Sequence, residues 1–81
     1  MNVRVHFYSY FRELTGCADT IVTLAPGGSI AELLKVLWER FPRLAGLERS
    51  TLIAVGVEYQ RPDYRLHADD EVSLFPPVQG G

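Results

Sequence analysis

Eighty-one residues and 9.1 kDa leave room for a single domain with one hydrophobic core. Eight basic and ten acidic side chains give a formal charge of -2 with 47% hydrophobic residues, which excludes both a disordered acidic chain and a basic nucleic-acid binder. Cys17 is the one cysteine, so neither an internal disulfide nor a multi-cysteine metal site can form, and no apolar run approaches the ~18 residues of a membrane span; the expectation is a soluble, cytoplasmic chain without nucleic-acid or membrane partners.

Residues 2–8 read as a strand: Val3, Val5 and Phe7 share one parity and Arg4, His6 and Tyr8 the other. That period breaks at 9–16, where Tyr10, Phe11 and Leu14 suit a short helical turn closed by Gly16. Asp19 to Leu24 reads as a second strand, ended by Ala25-Pro26-Gly27-Gly28. Ser29 followed by Glu32 is a capping-box pair and starts a helix. Ile30, Leu33, Leu34, Leu37, Trp38 and Phe41 then form one apolar stripe, and Pro42 ends the helix at Phe41 after about 12 residues. Trp38 belongs to the core on this reading.

Residues 43–50 read as a loop around Gly46. Thr51 to Val57 is almost wholly apolar, as expected of a central strand covered on both faces. Glu58 to Arg61 reads as a short neighbouring strand, Pro62-Asp63 as a turn, and His67-Ala68-Asp69-Asp70 as a polar bend. The last strand is Glu71 to Phe75, with Val72 and Leu74 on one face and Glu71, Ser73 and Phe75 on the other. This order gives an α+β roll whose helix packs on Val3, Val5, Phe7, Val72 and Leu74. One helix covers one sheet face, so His6, Tyr8 and Phe75 are left on the other as a partner surface.

Residues 1–75 thus form the domain and residues 76–81, Pro-Pro-Val-Gln-Gly-Gly, an extended tail of up to ~20 Å. Glycines at 80 and 81 let such a tail pass a narrow channel and present only a carboxylate. The remaining candidates have plainer roles. His67 beside Asp69 and Asp70 suits a solvated turn better than a metal ligand, and Cys17 suits packing. Aromatics at 7, 8, 10 and 11 have only Arg4 and Arg12 as cationic neighbours, too few for base stacking along a nucleic acid.

The strings VHFYSYFRELTG at 5–16, AVGVEY at 54–59 and above all DDEVSLFPPVQGG at 69–81, together with the Ser29 helix, resemble the small subunit of molybdopterin synthase. This family of ubiquitin-like β-grasp sulfur carriers has one main helix on a mixed sheet, and its members more often carry Asn where this chain has Gly56. The resemblance implies that the Gly81 carboxylate is adenylated and converted to a thiocarboxylate. Gly80, Gln79, Val78, Pro77 and Pro76 then match the threading tail, and Phe75 an apolar contact with partners. It further implies a large synthase subunit, in a heterotetramer of two small and two large chains, an E1-like adenylating enzyme that consumes ATP, and a persulfide sulfur donor. The carrier binds no permanent cofactor or metal and is not catalytic alone. Its sulfur becomes part of the dithiolene made from cyclic pyranopterin monophosphate. Carriers for thiazole, thiolated transfer RNA or cysteine synthesis are the alternatives within this chemistry, and a ubiquitin-like modifier or plain interaction module lies outside it.

Overall fold

The computed structural model describes residues 1–77. Strand β1 (Asn2–Phe7) pairs antiparallel with β2 (Asp19–Thr23), placing Val3 opposite Val22 and Val5 opposite Thr20. The alternation read from the sequence holds, since Val3, Val5 and Phe7 are fully buried while Asn2 and Arg4 are exposed. Between the strands lies the expected helical turn, α1 (Phe11–Thr15). Gly16 ends it at φ +75°, a backbone position that favours glycine, and its N–H donates to the Arg12 carbonyl at 2.8 Å.

Helix α2 (Ile30–Arg40) is one residue shorter than expected, with Phe41 as its C-cap. At its start the Ser29 hydroxyl accepts from the Glu32 N–H at 3.2 Å, half of a capping box. Two further amides of the first turn are taken by a neighbouring loop: Ile30 donates to Tyr64 O at 3.0 Å and Ala31 to Pro62 O at 2.9 Å. A tertiary contact therefore completes the satisfaction of the helix end. Ile30, Leu33, Leu34 and Leu37 are buried, each contributing about 1.5–3 kcal/mol by leaving water. Trp38 and Phe41 are only partly buried, so the stripe is narrower than expected and Trp38 borders the core instead of filling it.

The expected loop at 43–50 contains two single-turn 3₁₀ segments, Pro42–Leu44 and Glu48–Ser50. The first drives Leu44 fully into the core. Strand β3 (Leu52–Val55) is also shorter than the 51–57 run suggested, because Gly56 at φ +60° opens a tight turn. Val57 sits at its tip, 98% exposed, and β4 (Glu58–Tyr59) returns beside β3. Strand β5 (Glu71–Phe75) matches its predicted bounds.

The sheet order is β2-β1-β5-β3-β4, with β1 parallel to β5 and the other pairs antiparallel. The central strand is thus β5, whereas the apolar 51–57 run lies one place from an edge. Helix α2 covers one face of this mixed sheet, with Val3, Val5, Phe7, Val72 and Leu74 beneath it as expected.

Candidate functional site

The sheet face away from α2 divides into two halves. On the polar half, Arg4 lies 4.0 Å from Asp19, the Thr23 hydroxyl donates to Asn2 Oδ1 at 2.8 Å, and His6 Nε2 lies 2.8 Å from Glu71 Oε1. These are cross-strand neighbours whose polar groups satisfy one another. His6 shares the uncovered face, as its parity required, but is committed to Glu71 and separate from the apolar patch.

The apolar half lies where β5 ends. Tyr8 N–H donates to Leu74 O at 3.2 Å, extending the β1–β5 pairing by one residue and bringing Tyr8 beside Phe75. Their rings stack 4.7 Å apart at 12°. The Arg12 guanidinium lies 5.8 Å from the Tyr8 ring centroid and donates from Nε to Phe7 O at 3.1 Å. Register places Leu52 opposite Phe75, and Tyr59 follows across Ala54. Leu52 and Tyr59 are 37% and 70% exposed. A half-buried aromatic pair with two exposed apolar neighbours forms a contiguous patch of the kind that docks a protein.

Of the residues singled out from the sequence, Tyr8 and Phe75 meet, and Pro76 and Pro77 continue from the patch, both half-buried. Val78, Gln79, Gly80 and Gly81 lie outside the described residues. Sequence pattern does not single out Leu52, Tyr59 or Arg12 as parts of this surface. Strand parity puts Leu52 on the face of Ala54, opposite to Ile53 and Val55, but only the antiparallel register with β5 makes it Phe75's neighbour. His67 is a turn residue as expected: its N–H donates to Asp70 Oδ2 at 2.7 Å and its side chain is largely exposed. Among the described residues no cluster of three acidic, histidine or cysteine side chains could hold a metal, and no helix is long and apolar enough to cross a membrane. Cys17 is half-buried against the core.

Among the described residues the two halves of this face differ in kind, one a network of paired polar side chains and the other an aromatic and aliphatic patch. Comparison with known proteins shows relatives in sequence and in fold. A molybdopterin synthase sulfur carrier subunit from Aedes aegypti is 30% identical over 88 residues, covering all of this chain and 90% of its own length. A solved complex of subunits 1 and 2 of the molybdopterin-converting factor from Helicobacter pylori contains a chain that superposes with a TM-score of 0.72 at 26% identity, with full coverage of both chains. SAMP1 from Haloferax volcanii superposes at 0.87 with full coverage of both chains, and at 21% identity it shows the ubiquitin-like β-grasp fold alone. The ThiS family matches residues 5–81, nearly the whole sequence and including the Gly-Gly end, so this chain belongs to the ThiS family.

Proposed function

We propose that this chain is the sulfur-carrier subunit of a molybdopterin synthase, with Gly81 as the carrying residue. The observation that carries the reading is the family match running through the Pro-Pro-Val-Gln-Gly-Gly tail, which starts beside the Tyr8–Phe75 stack. The domain body, residues 1–75, docks through that patch, and residues 76–81 deliver the terminal carboxylate into a partner's cleft. Supplying a positioned reactant is the carrier's whole contribution to catalysis. The large synthase subunit occupies the patch during transfer; that such a subunit is the partner is supported by the Helicobacter pylori complex of subunits 1 and 2. The assembly is a heterotetramer with one carrier at each end.

A free carboxylate is a poor electrophile, so an E1-like enzyme first joins Gly81 to AMP and releases pyrophosphate from ATP. A persulfide on the sulfur donor then attacks the carbonyl and expels AMP. A thiol reduces the resulting acyl disulfide, leaving a thiocarboxylate on Gly81. In the synthase that sulfur forms a bond to carbon of cyclic pyranopterin monophosphate, and water returns the carrier to its carboxylate. No residue among the described ones needs to act as acid or base for these steps.

Incubating the chain with the adenylating enzyme, ATP, a persulfide donor and a reducing thiol should raise its intact mass by the difference between sulfur and oxygen, with fragmentation placing the change on Gly81. Adding the large subunit and precursor should consume that increment. A chain that binds both partners yet never acquires AMP or sulfur would refute the reading, and transfer only to a thiazole, transfer-RNA or cysteine precursor would reassign the pathway.

A further inference from the structure

The sheet has two edges, β2 and β4, and they are not equally protected. An edge strand offers unpaired N–H and C=O groups to any other chain, and short length, Pro, Lys or a bulge are the usual protections. Strand β4 is protected by its length of two residues. Strand β2 has five, Asp-Thr-Ile-Val-Thr, with four β-branched side chains in a row and neither Pro nor Gly nor Lys. Its Ile21 side chain is 49% exposed. By composition β2 is the more pairing-prone edge.

Pairing with β1 fixes which backbone groups of β2 are free. Leu24 N–H donates to Met1 O at 2.9 Å and Phe7 N–H to Ala18 O at 2.8 Å, while Val3 lies opposite Val22 and Val5 opposite Thr20. Residues 18, 20, 22 and 24 therefore turn their backbone groups to β1, and those of Asp19, Ile21 and Thr23 point away from the sheet. The middle carbonyl of these three is already taken. Arg40, exposed in the last turn of α2, donates from Nη1 to Ile21 O at 2.9 Å and to Thr20 Oγ1 at 3.1 Å. Among the described residues no other side chain bonds to the backbone of this free edge.

We infer that Arg40 guards the β2 edge against pairing with β2 of a second copy of this chain. The second copy is the fitting occupant because the edge is complementary to itself. In an antiparallel pair centred on Ile21, the outward-facing residues of the two copies meet as Ile21 with Ile21 and Asp19 with Thr23, and each pair can exchange both backbone bonds. The Asp19 carboxylate then faces a hydroxyl and Ile21 an equal apolar side chain, with no like charges opposed. The Arg40 guanidinium stands where the second strand would lie, so pairing requires each copy to release charge-assisted hydrogen bonds. A five-residue edge pair falls short of the ~1,000 Å² that marks a stable interface, so those bonds are enough to decide whether two copies associate.

The test compares the full chain with Arg40→Ala by sedimentation equilibrium over a range of concentrations, with circular dichroism to check the fold. Expected are a monomer for the parent chain and a reversible monomer–dimer equilibrium for the variant, its dissociation constant roughly tenfold or more below any value the parent shows. Arg40→Gln, polar but without the guanidinium fork, should shift association the same way, so the result does not hang on one substitution. Hydrogen exchange at single amides should slow at Asp19, Ile21 and Thr23 as the dimer fills. Adding Ile21→Lys to Arg40→Ala sets two ammonium groups against each other at the centre of the pair and should restore the monomer. Equal association of the parent and both Arg40 variants, slowed exchange at Tyr59 on the β4 edge instead of along β2, or a dimer that Ile21→Lys leaves intact overturns the inference.

Discussion

Tyr8 and Phe75 stack across the ends of two parallel strands 67 positions apart in sequence (75 - 8 = 67), with ring planes only 12° from parallel. The pair lies on the face α2 leaves open, and each ring remains half-buried; on the function proposed above, the stack serves as a preformed anchor for a partner. Phe75→Ala should weaken binding of the large subunit by about 1–3 kcal/mol while lowering fold stability by less. Titration calorimetry beside denaturant unfolding separates the two effects. Unchanged affinity with a large loss of stability would remove Phe75 from the interface.

Leu37 should behave in the opposite way. It is fully buried on the core-facing side of α2, and Leu37→Ala should cost about 2–4 kcal/mol of stability by opening a cavity. Affinity measured well below the unfolding transition should stay near that of the parent chain. A denaturant midpoint within error of the parent's would show that the core collapses around the missing side chain.

Ser29→Ala removes the hydroxyl that accepts from Glu32 N–H. The expected cost is about 1 kcal/mol, since the Tyr64 and Pro62 carbonyls still hold the amides of Ile30 and Ala31. Thermal or chemical unfolding gives the value. A loss several times larger would mean that the helix start and the 62–64 loop come apart together.

Gly56 holds φ +60°, and a Cβ at this position would meet nothing within 4 Å, so backbone conformation and not space limits substitution there. Gly56→Asn should be tolerated to within about 1 kcal/mol, because Asn enters this region readily, and Gly56→Val should cost clearly more. Comparing the two unfolding midpoints checks the order; equal losses would argue that the turn changes shape.

Removing residues 77–81 should cost less than ~1 kcal/mol of stability, because among the described residues those of the core all precede Pro76. Sulfur loading should disappear. A marked drop in melting temperature would show that the tail packs on its own domain, contrary to the threading role.

The paired strands and the main helix were legible because their signals are local. Period-two alternation marks 2–7 and 71–75, and the Ser29 cap with its apolar stripe marks α2. The rest depended on contacts across the chain. The run at 51–57 is as apolar as a central strand, yet Gly56 cuts it short and β5 takes the middle of the sheet. Leu44 enters the core through a 3₁₀ turn that hydrophobic periodicity does not reveal. At the site, parity put His6, Tyr8 and Phe75 on one face, but it could not foresee that Glu71 engages His6 or that register sets Leu52 beside Phe75.

The placement of β5 between β1 and β3 also bears on how the domain is assembled. Its partners in β1 lie 67 positions away (71 - 4 = 67), so the β1–β2 hairpin can form early while one edge of β1 remains open. Until residues 71–75 arrive, Val3, Val5 and Phe7 border an unpaired strand edge, the arrangement most exposed to pairing with another chain. The segment that leads into the tail is therefore also the keystone of folding. Mutations that weaken β5 should appear first as poor yield and aggregation during synthesis, before any defect in sulfur transfer can be measured.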